Sequence, residues 1–146
     1  MIYLYLNINL KIQRKFMTEQ IKHYENKLKY EIDSWDLSEL LKKKNQVIVI
    51  DTRATSVYEA EHIPTAVNIP HRTMSAHSTK DLDKDILYVT YCDGIGCNAS
   101  TKGALNMAKL GFKVKELLGG LDWWIRDGYE TNGLNAKPSK NIECAC

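Results

Sequence analysis

Residues 86–103, ILYVTYCDGIGCNASTKG, hold the residue types best suited to chemistry in this chain. An apolar, β-branched run ends at Tyr91, and Cys92 follows at once. A loop from Asp93 to Asn98 comes next, carrying Gly94, Gly96 and a second thiol, Cys97. The pattern then turns helical near Ala99. A thiol between the end of a buried strand and the start of a helix is placed for nucleophilic attack by sulfur. Glycines at 94 and 96 give the loop freedom to turn its amides inward as an anion-binding nest. The helix start adds the positive end of its dipole. Both effects predict a pKa below that of a free thiol, so that Cys92 is held as a thiolate. The competing reading is an inert buried cysteine, which the glycine loop and helix start leave without a reason.

Cys97 has two readings. It is a resolving thiol, able to attack an oxidised or sulfur-loaded Cys92 if the loop brings the two Cα atoms within about 7 Å. Alternatively it is a small residue packed under the loop. The remaining cysteines, Cys144 and Cys146, lie in a polar tail, as a mobile redox pair or as incidental residues. The C-x4-C and C-x-C spacings fit no zinc ribbon, and no metal or organic cofactor is implied. With no signal peptide, the thiols point to a reducing, cytoplasmic setting in which they are kept for reactivity. A net charge of +2 over 146 residues, with scattered lysines, gives no case for a nucleic-acid or membrane partner. The run Lys42–Lys44 reads as the exposed end of a helix.

The elements that must position the thiol follow from the apolar pattern. Val47–Asp51 and Ile86–Tyr91 are apolar without alternation, which predicts interior strands of a parallel sheet. Ala66–Pro70 and Val114–Leu118 predict two further strands, and Tyr30–Ile32 a short extended piece. Helices are expected from an N-cap at Asp36, over Ala99–Leu110, and over Leu121–Arg126 after Gly119-Gly120. In that last helix Trp123 and Trp124 pack it on the sheet, with one at a pocket rim. Strands alternating with helices predict an α/β fold.

With these motifs in place, the chain resembles the rhodanese-like domains. The run VIVIDTRATSVYEAEHIPTAVNIP matches their Asp-x-Arg turn (Asp51, Arg53), Tyr-Glu pair (Tyr58, Glu59), His62-Ile63-Pro64 and Asn68-Ile69-Pro70. Glu61 and Thr65 stand where the family has glycines. VTYCDG, Leu110-Gly111-Phe112, Leu118-Gly119-Gly120, Trp124 and Gly128-Tyr129 continue the match over about residues 32–130. The resemblance implies a three-layer α/β fold with a central, mostly parallel sheet of about five strands flanked by helices. It implies a single-domain sulfurtransferase with Cys92 as nucleophile and persulfide carrier, cradled by Asp93, Gly94, Ile95, Gly96, Cys97 and Asn98. The implied donor is thiosulfate or a protein persulfide, and the implied acceptor is cyanide, a thiol or a protein. Asp51, Arg53, Glu59 and His62 become framework, with an Arg53–Glu59 ion pair under the loop and His62 as a hydrogen-bonded turn residue rather than a general base. A dithiol redox protein using Cys92 and Cys97, or a non-catalytic interaction module, are the alternatives. Counted back from Leu110-Gly111, the loop is about two residues longer than the family's. No arginine or lysine lies between Cys92 and Thr101, which disfavours phosphatase and arsenate reductase chemistry.

The expected organisation is an N-terminal extension over 1–17, a domain over 18–130 and a flexible tail over 131–146. The alternation of Ile2, Leu4, Leu6, Ile8 and Leu10 suits a short strand, unless Met17 is the biological start. Thr18 reads as the cap of a following helix.

Overall fold

The computed structural model describes residues 2–43 and 47–140, with side chains from residue 7 onward. The chain divides at Glu31/Ile32 into two units. The first unit is one helix, α1 (Ile2–Tyr30). This corrects both the predicted strand and the break at residue 17. A lone strand leaves its backbone groups without partners, whereas a helix satisfies its own and extends cheaply once nucleated. Thr18 is therefore mid-helix, its hydroxyl donating to the Arg14 carbonyl at 2.9 Å. No helix among the described residues is long and apolar enough to cross a membrane.

The second unit, with the short strand that leads into it, is a five-stranded sheet in the order β1-β5-β4-β2-β3, flanked by helices on both faces, the α/β architecture expected. The elements run β1 (Glu31–Ile32), α2 (Ser34–Lys42), β2 (Val47–Asp51), α3 (Thr55–Ala60), β3 (Val67–Asn68), β4 (Leu87–Tyr91), α4 (Ala99–Lys109), β5 (Lys113–Leu117) and α5 (Gly120–Arg126). The pairings β2–β3, β2–β4 and β4–β5 are parallel, with Val49 opposite Val89. Because side chains alternate across a strand, β2 and β4 feed two cores. Val49, Val89 and Tyr91 pack with Leu37 of α2 and Leu121 and Trp124 of α5. On the opposite face Ile50 and Tyr88 pack with Met107 of α4 and Phe112. Two-faced burial is why neither strand shows polar alternation.

Three local expectations need correction. Helix α2 is capped by Asp33, whose Oδ1 accepts the Asp36 N–H at 2.8 Å, so the cap lies three residues earlier than Asp36. Helix α3 was not predicted. Residues 131–140 are strapped to the domain rather than loose: Asn132 and His62 exchange backbone hydrogen bonds at 2.9 Å, and Lys140 N–H reaches the Gly128 carbonyl at 2.7 Å. Cys144, Cys146 and Lys44 lie outside the described residues; Lys42 and Lys43 are exposed at the end of α2.

Candidate active site

The strand order reverses between β2 and β4: the chain goes outward from β2 to β3, then crosses to β4 and on to β5. In parallel α/β sheets the crevice at the carboxyl ends of such strands is where ligands bind. Cys92 is the residue immediately after β4 at this point. The neighbouring end of β2 is locked to it, since Thr52 gives both its N–H (3.1 Å) and its hydroxyl (2.7 Å) to the Tyr91 carbonyl.

The loop is held from two sides. On one side, the start of α5 donates Leu121 N–H to the Cys92 carbonyl (2.9 Å) and Asp122 N–H to the Asp93 carbonyl (2.7 Å). This close approach needs a glycine at 120, where φ is +59° and a Cβ would stand 2.4 Å from the Cys92 oxygen. On the other side, Arg53 reaches in from the end of β2. Its Nη1 bonds Asp93 at 2.7 Å, its Nε and Nη2 bond Asp51, and Nη2 also donates to the Glu61 carbonyl at 2.6 Å. The Asp51 carboxylate is fully buried and also accepts the Tyr91 hydroxyl. Burial alone would pull the Arg53 pKa down, but the hydrogen bonds to Asp51 and Asp93 more than offset it and hold the guanidinium above its usual range. Burial and the Asp51 charge likewise push the Tyr91 phenol up.

The framework residues are therefore placed differently from expectation at one point. There is no Arg53–Glu59 ion pair: Glu59 is exposed, and the partners of Arg53 are Asp51 and Asp93. Glu61, which replaces a family glycine, anchors the 131–140 strap through Thr131 (2.7 Å) and Lys137 (2.8 Å). His62 stacks on Tyr58 at 3.9 Å, with Nδ1 2.7 Å from the Tyr58 carbonyl.

The sulfur itself overturns the expected thiolate. Cys92 is only 1 % exposed. Its Sγ lies 3.0 Å from the Cys97 carbonyl oxygen and 3.6 Å from that of Gly94, so the nearest loop groups are acceptors that favour a protonated thiol. Burial pushes its pKa up; hydrogen bonds from Ser100 pull against this, and the adjacent Cys97 adds to the rise. Gly94 and Gly96 do not serve through unusual backbone angles either, since neither has a positive φ.

Two residues went unnoticed in the sequence. The Ser100 hydroxyl, at the start of α4, lies 3.4 Å from Cys92 Sγ and donates to Glu116 Oε1 of β5 at 2.7 Å. The hydroxyl thus links thiol and carboxylate in a Cys92–Ser100–Glu116 chain. Ser100 and Glu116 are sixteen positions apart, and only the register of β5 beside β4 joins them. Outside the loop lies an open cavity of about 600 Å³, lined by residues 93–97 with Asp122 and Trp123. Ile95, 78 % exposed, stands at its edge, and Asn98 occupies the N-cap position of α4 without a side-chain cap bond. Trp124 is buried, stacked on Tyr129, while Trp123 is at the cavity rim. No group of three or more His, Cys, Asp or Glu residues among the described residues is arranged to hold a metal ion.

Comparison with known proteins agrees with this fold. The family described as Rhodanese-like domain matches residues 35–127. The thiosulfate sulfurtransferase GlpE of Coxiella burnetii is 32% identical over 110 residues, covering 74% of this chain and 88% of that protein. Among solved structures, the BH2092 protein from Bacillus halodurans superposes with a TM-score of 0.78 at 39% identity, covering 88% of this chain and 94% of that one. A rhodanese-related protein from Thermoplasma volcanium gives a TM-score of 0.62 at 26% identity, covering 70% and 97% respectively.

Proposed function

Because the chain belongs to the rhodanese-like domain family, we propose that it is a sulfurtransferase carrying a sulfane sulfur as a persulfide on Cys92. The observation that carries this reading is the hydrogen-bonded chain Cys92–Ser100–Glu116 at the carboxyl end of β4. A buried thiol with a raised pKa needs somewhere to send its proton before it can attack. Ser100 takes the proton as its own passes to Glu116, and the sulfur becomes a nucleophile at the moment of reaction.

With thiosulfate as donor, the Cys92 sulfur attacks the outer sulfur, the S–S bond breaks, and sulfite leaves with the bonding pair. A nucleophilic acceptor, whether cyanide, a thiol or a protein thiolate, then removes the outer sulfur and returns Cys92. The GlpE relative is named for thiosulfate, which supports trying that donor first. The test is the intact mass after incubation with thiosulfate under non-reducing conditions. With the second loop thiol removed by Cys97→Ser, so that a loaded sulfur has no neighbouring thiol to meet, the expected result is a gain of one sulfur atom at Cys92, absent when Cys92→Ser is added. A Cys97→Ser chain that stays unlabelled with thiosulfate and with a low-molecular-weight persulfide refutes the reading, as does labelling that survives Cys92→Ser.

The burial of Cys92 and its carbonyl neighbours favour one rival, a non-catalytic module that uses the same fold to bind a partner. That rival predicts a Cys92 that takes up neither sulfur nor iodoacetamide while the domain stays folded.

A further inference from the structure

The two thiols of the loop are neighbours with unequal access. The Cys97 N–H donates to the Gly94 carbonyl at 3.1 Å, a tight turn that folds the loop back over Cys92. The turn brings the Cys97 carbonyl oxygen to 3.0 Å from Cys92 Sγ. Yet Cys92 is sealed from solvent, whereas Cys97 is half-buried and lines the 600 Å³ cavity beside Asp122 and Trp123. At Gly96 a Cβ would meet nothing within 4 Å, so the loop has open space beside it in which to adjust. A disulfide needs the two Cα atoms within about 7 Å and a matching approach of the Cβ atoms. The turn at 94–97 brings the Cys97 backbone to the Cys92 sulfur, the direction in which such a bond would close.

Resting on the sulfurtransferase reading, we propose that Cys97 is a resolving thiol that discharges the Cys92 persulfide as hydrogen sulfide and closes a Cys92–Cys97 disulfide. The Cys97 sulfur, having lost its proton, attacks Cys92 Sγ. A bond forms between the two cysteine sulfurs, and the bond from Cys92 to the sulfane sulfur breaks. The sulfane sulfur leaves with the bonding pair and takes up the proton as hydrosulfide. Two cysteine sulfurs are oxidised by one electron each, and the sulfane sulfur is reduced by two, so no outside oxidant enters. The step needs only the persulfide that the transfer reaction supplies.

Resetting the site requires a dithiol reductant. Thiol–disulfide exchange occurs at the sulfur that can be reached. Here that is Cys97, facing the cavity, so Cys92 is the leaving sulfur and is restored as the free nucleophile. The mixed disulfide on Cys97 is then resolved by the reductant's second thiol. The chain thereby becomes a sulfide-releasing enzyme driven by a dithiol, beyond a carrier that hands intact sulfane sulfur to an acceptor.

The experiment loads reduced protein with thiosulfate in the absence of any thiol or cyanide. It then follows free sulfide with a colorimetric trap and the protein by intact non-reducing mass. For the unmodified chain the expected result is about one equivalent of sulfide per chain and a final mass two hydrogens below the starting one. For Cys97→Ser, and for Cys97→Ala as a second variant, the expected result is an accumulated persulfide with sulfide release lost. An unmodified chain that holds its persulfide for as long as Cys97→Ser does overturns the inference while leaving the sulfurtransferase reading intact. Sulfane sulfur found on Cys97, with Cys92 free, also overturns it, because the attack then fell on the outer sulfur. A failure of all forms to gain or release sulfur is a different outcome, and it refutes the sulfurtransferase reading itself.

Discussion

Replacing Gly120 by alanine tests whether the start of α5 sets the shape of the cradle. The new Cβ would stand 2.4 Å from the Cys92 oxygen, 3.0 Å from Gly94 N and 3.1 Å from the Asp93 carbonyl carbon, all backbone atoms that cannot swing aside. Ordinary contact begins at 3.4 Å, so the helix start or the loop must retreat by 3.4 − 2.4 = 1.0 Å. That retreat stretches the Leu121 and Asp122 N–H bonds, now 2.9 and 2.7 Å, past hydrogen-bonding range. Losing both costs roughly 2 kcal/mol, and holding alanine in the left-handed region adds roughly 1–2 kcal/mol. A loss of about 3–4 kcal/mol lowers the melting temperature by roughly 10–20 °C for a domain of this size. The assay is thermal unfolding by circular dichroism, paired with the rate at which iodoacetamide labels Cys92. Labelling accelerates as the cradle opens. Gly96→Ala is the internal control, since nothing lies within 4 Å of the added methyl, and its effect stays within about 0.5 kcal/mol. A Gly120→Ala protein that melts with the parent and labels at the parent's rate refutes the claim that this contact shapes the loop.

Other outcomes follow from single residues. Thr65 sits at φ +66°, strained for a β-branched side chain, where the family has glycine; Thr65→Gly should raise stability by roughly 1 kcal/mol in urea unfolding, and a loss would show that side-chain contacts outweigh the strain. Burial works to raise the Glu61 pKa, but the hydrogen bonds from Lys137 and Thr131 win and hold it below the usual carboxylate value. Its contribution is thus complete above the ordinary glutamate pKa and lost as pH falls through the depressed one; Lys137→Met should flatten that acid limb, and an unchanged limb counts against it. Burial pushes the Cys92 thiol up and Ser100 pulls it back, so Cys92 alkylation should still be rising at pH values above the ordinary thiol range, and Ser100→Ala should slow it further at fixed pH. A labelling profile with its midpoint below neutrality contradicts that.

The sheet was legible because burial on both faces leaves a strong local mark. Val47–Asp51 and Ile86–Tyr91 carry it within a few residues, and both are strands within one residue of their predicted bounds. The start and end of the chain were not legible. Alternating apolar residues at 2–10 look like a strand in isolation, and only the absence of a neighbouring strand decides for helix. Polar residues at 131–140 look loose by composition, but composition does not reveal that Thr131 and Lys137 find Glu61, about seventy positions away in sequence. The same limit hid Ser100–Glu116. Asp51, two residues before Arg53, is the nearer partner along the chain, and the β2 end turns both side chains to one spot. Glu59 lies on α3, which local pattern did not predict.

The placement of charge bears on the donor that the proposed transferase would take. Arg53, the cation that reaches the loop, is already bound by the carboxylates of Asp51 and Asp93, and Glu116 brings a third to the sulfur through Ser100. Three carboxylates against one guanidinium leave this group two charges negative, and residues 93–101 contribute no lysine or arginine. A doubly negative donor such as thiosulfate therefore meets backbone dipoles and net repulsion rather than an ion pair. Salt exposes the difference, because screening weakens whichever charge interaction dominates. In a site built on a free cation, KM for thiosulfate rises with ionic strength. Here KM should stay level or fall as salt is raised from about 0.01 to 1 M, where the Debye length shrinks from about 30 to 3 Å. Neutralising Asp93 with Asp93→Asn frees one bond of Arg53 and should lower KM most at low salt. A KM that climbs steeply with salt in the unmodified chain would mean that a cation outside this network meets the donor, and the carboxylate count would then be the wrong description of the site.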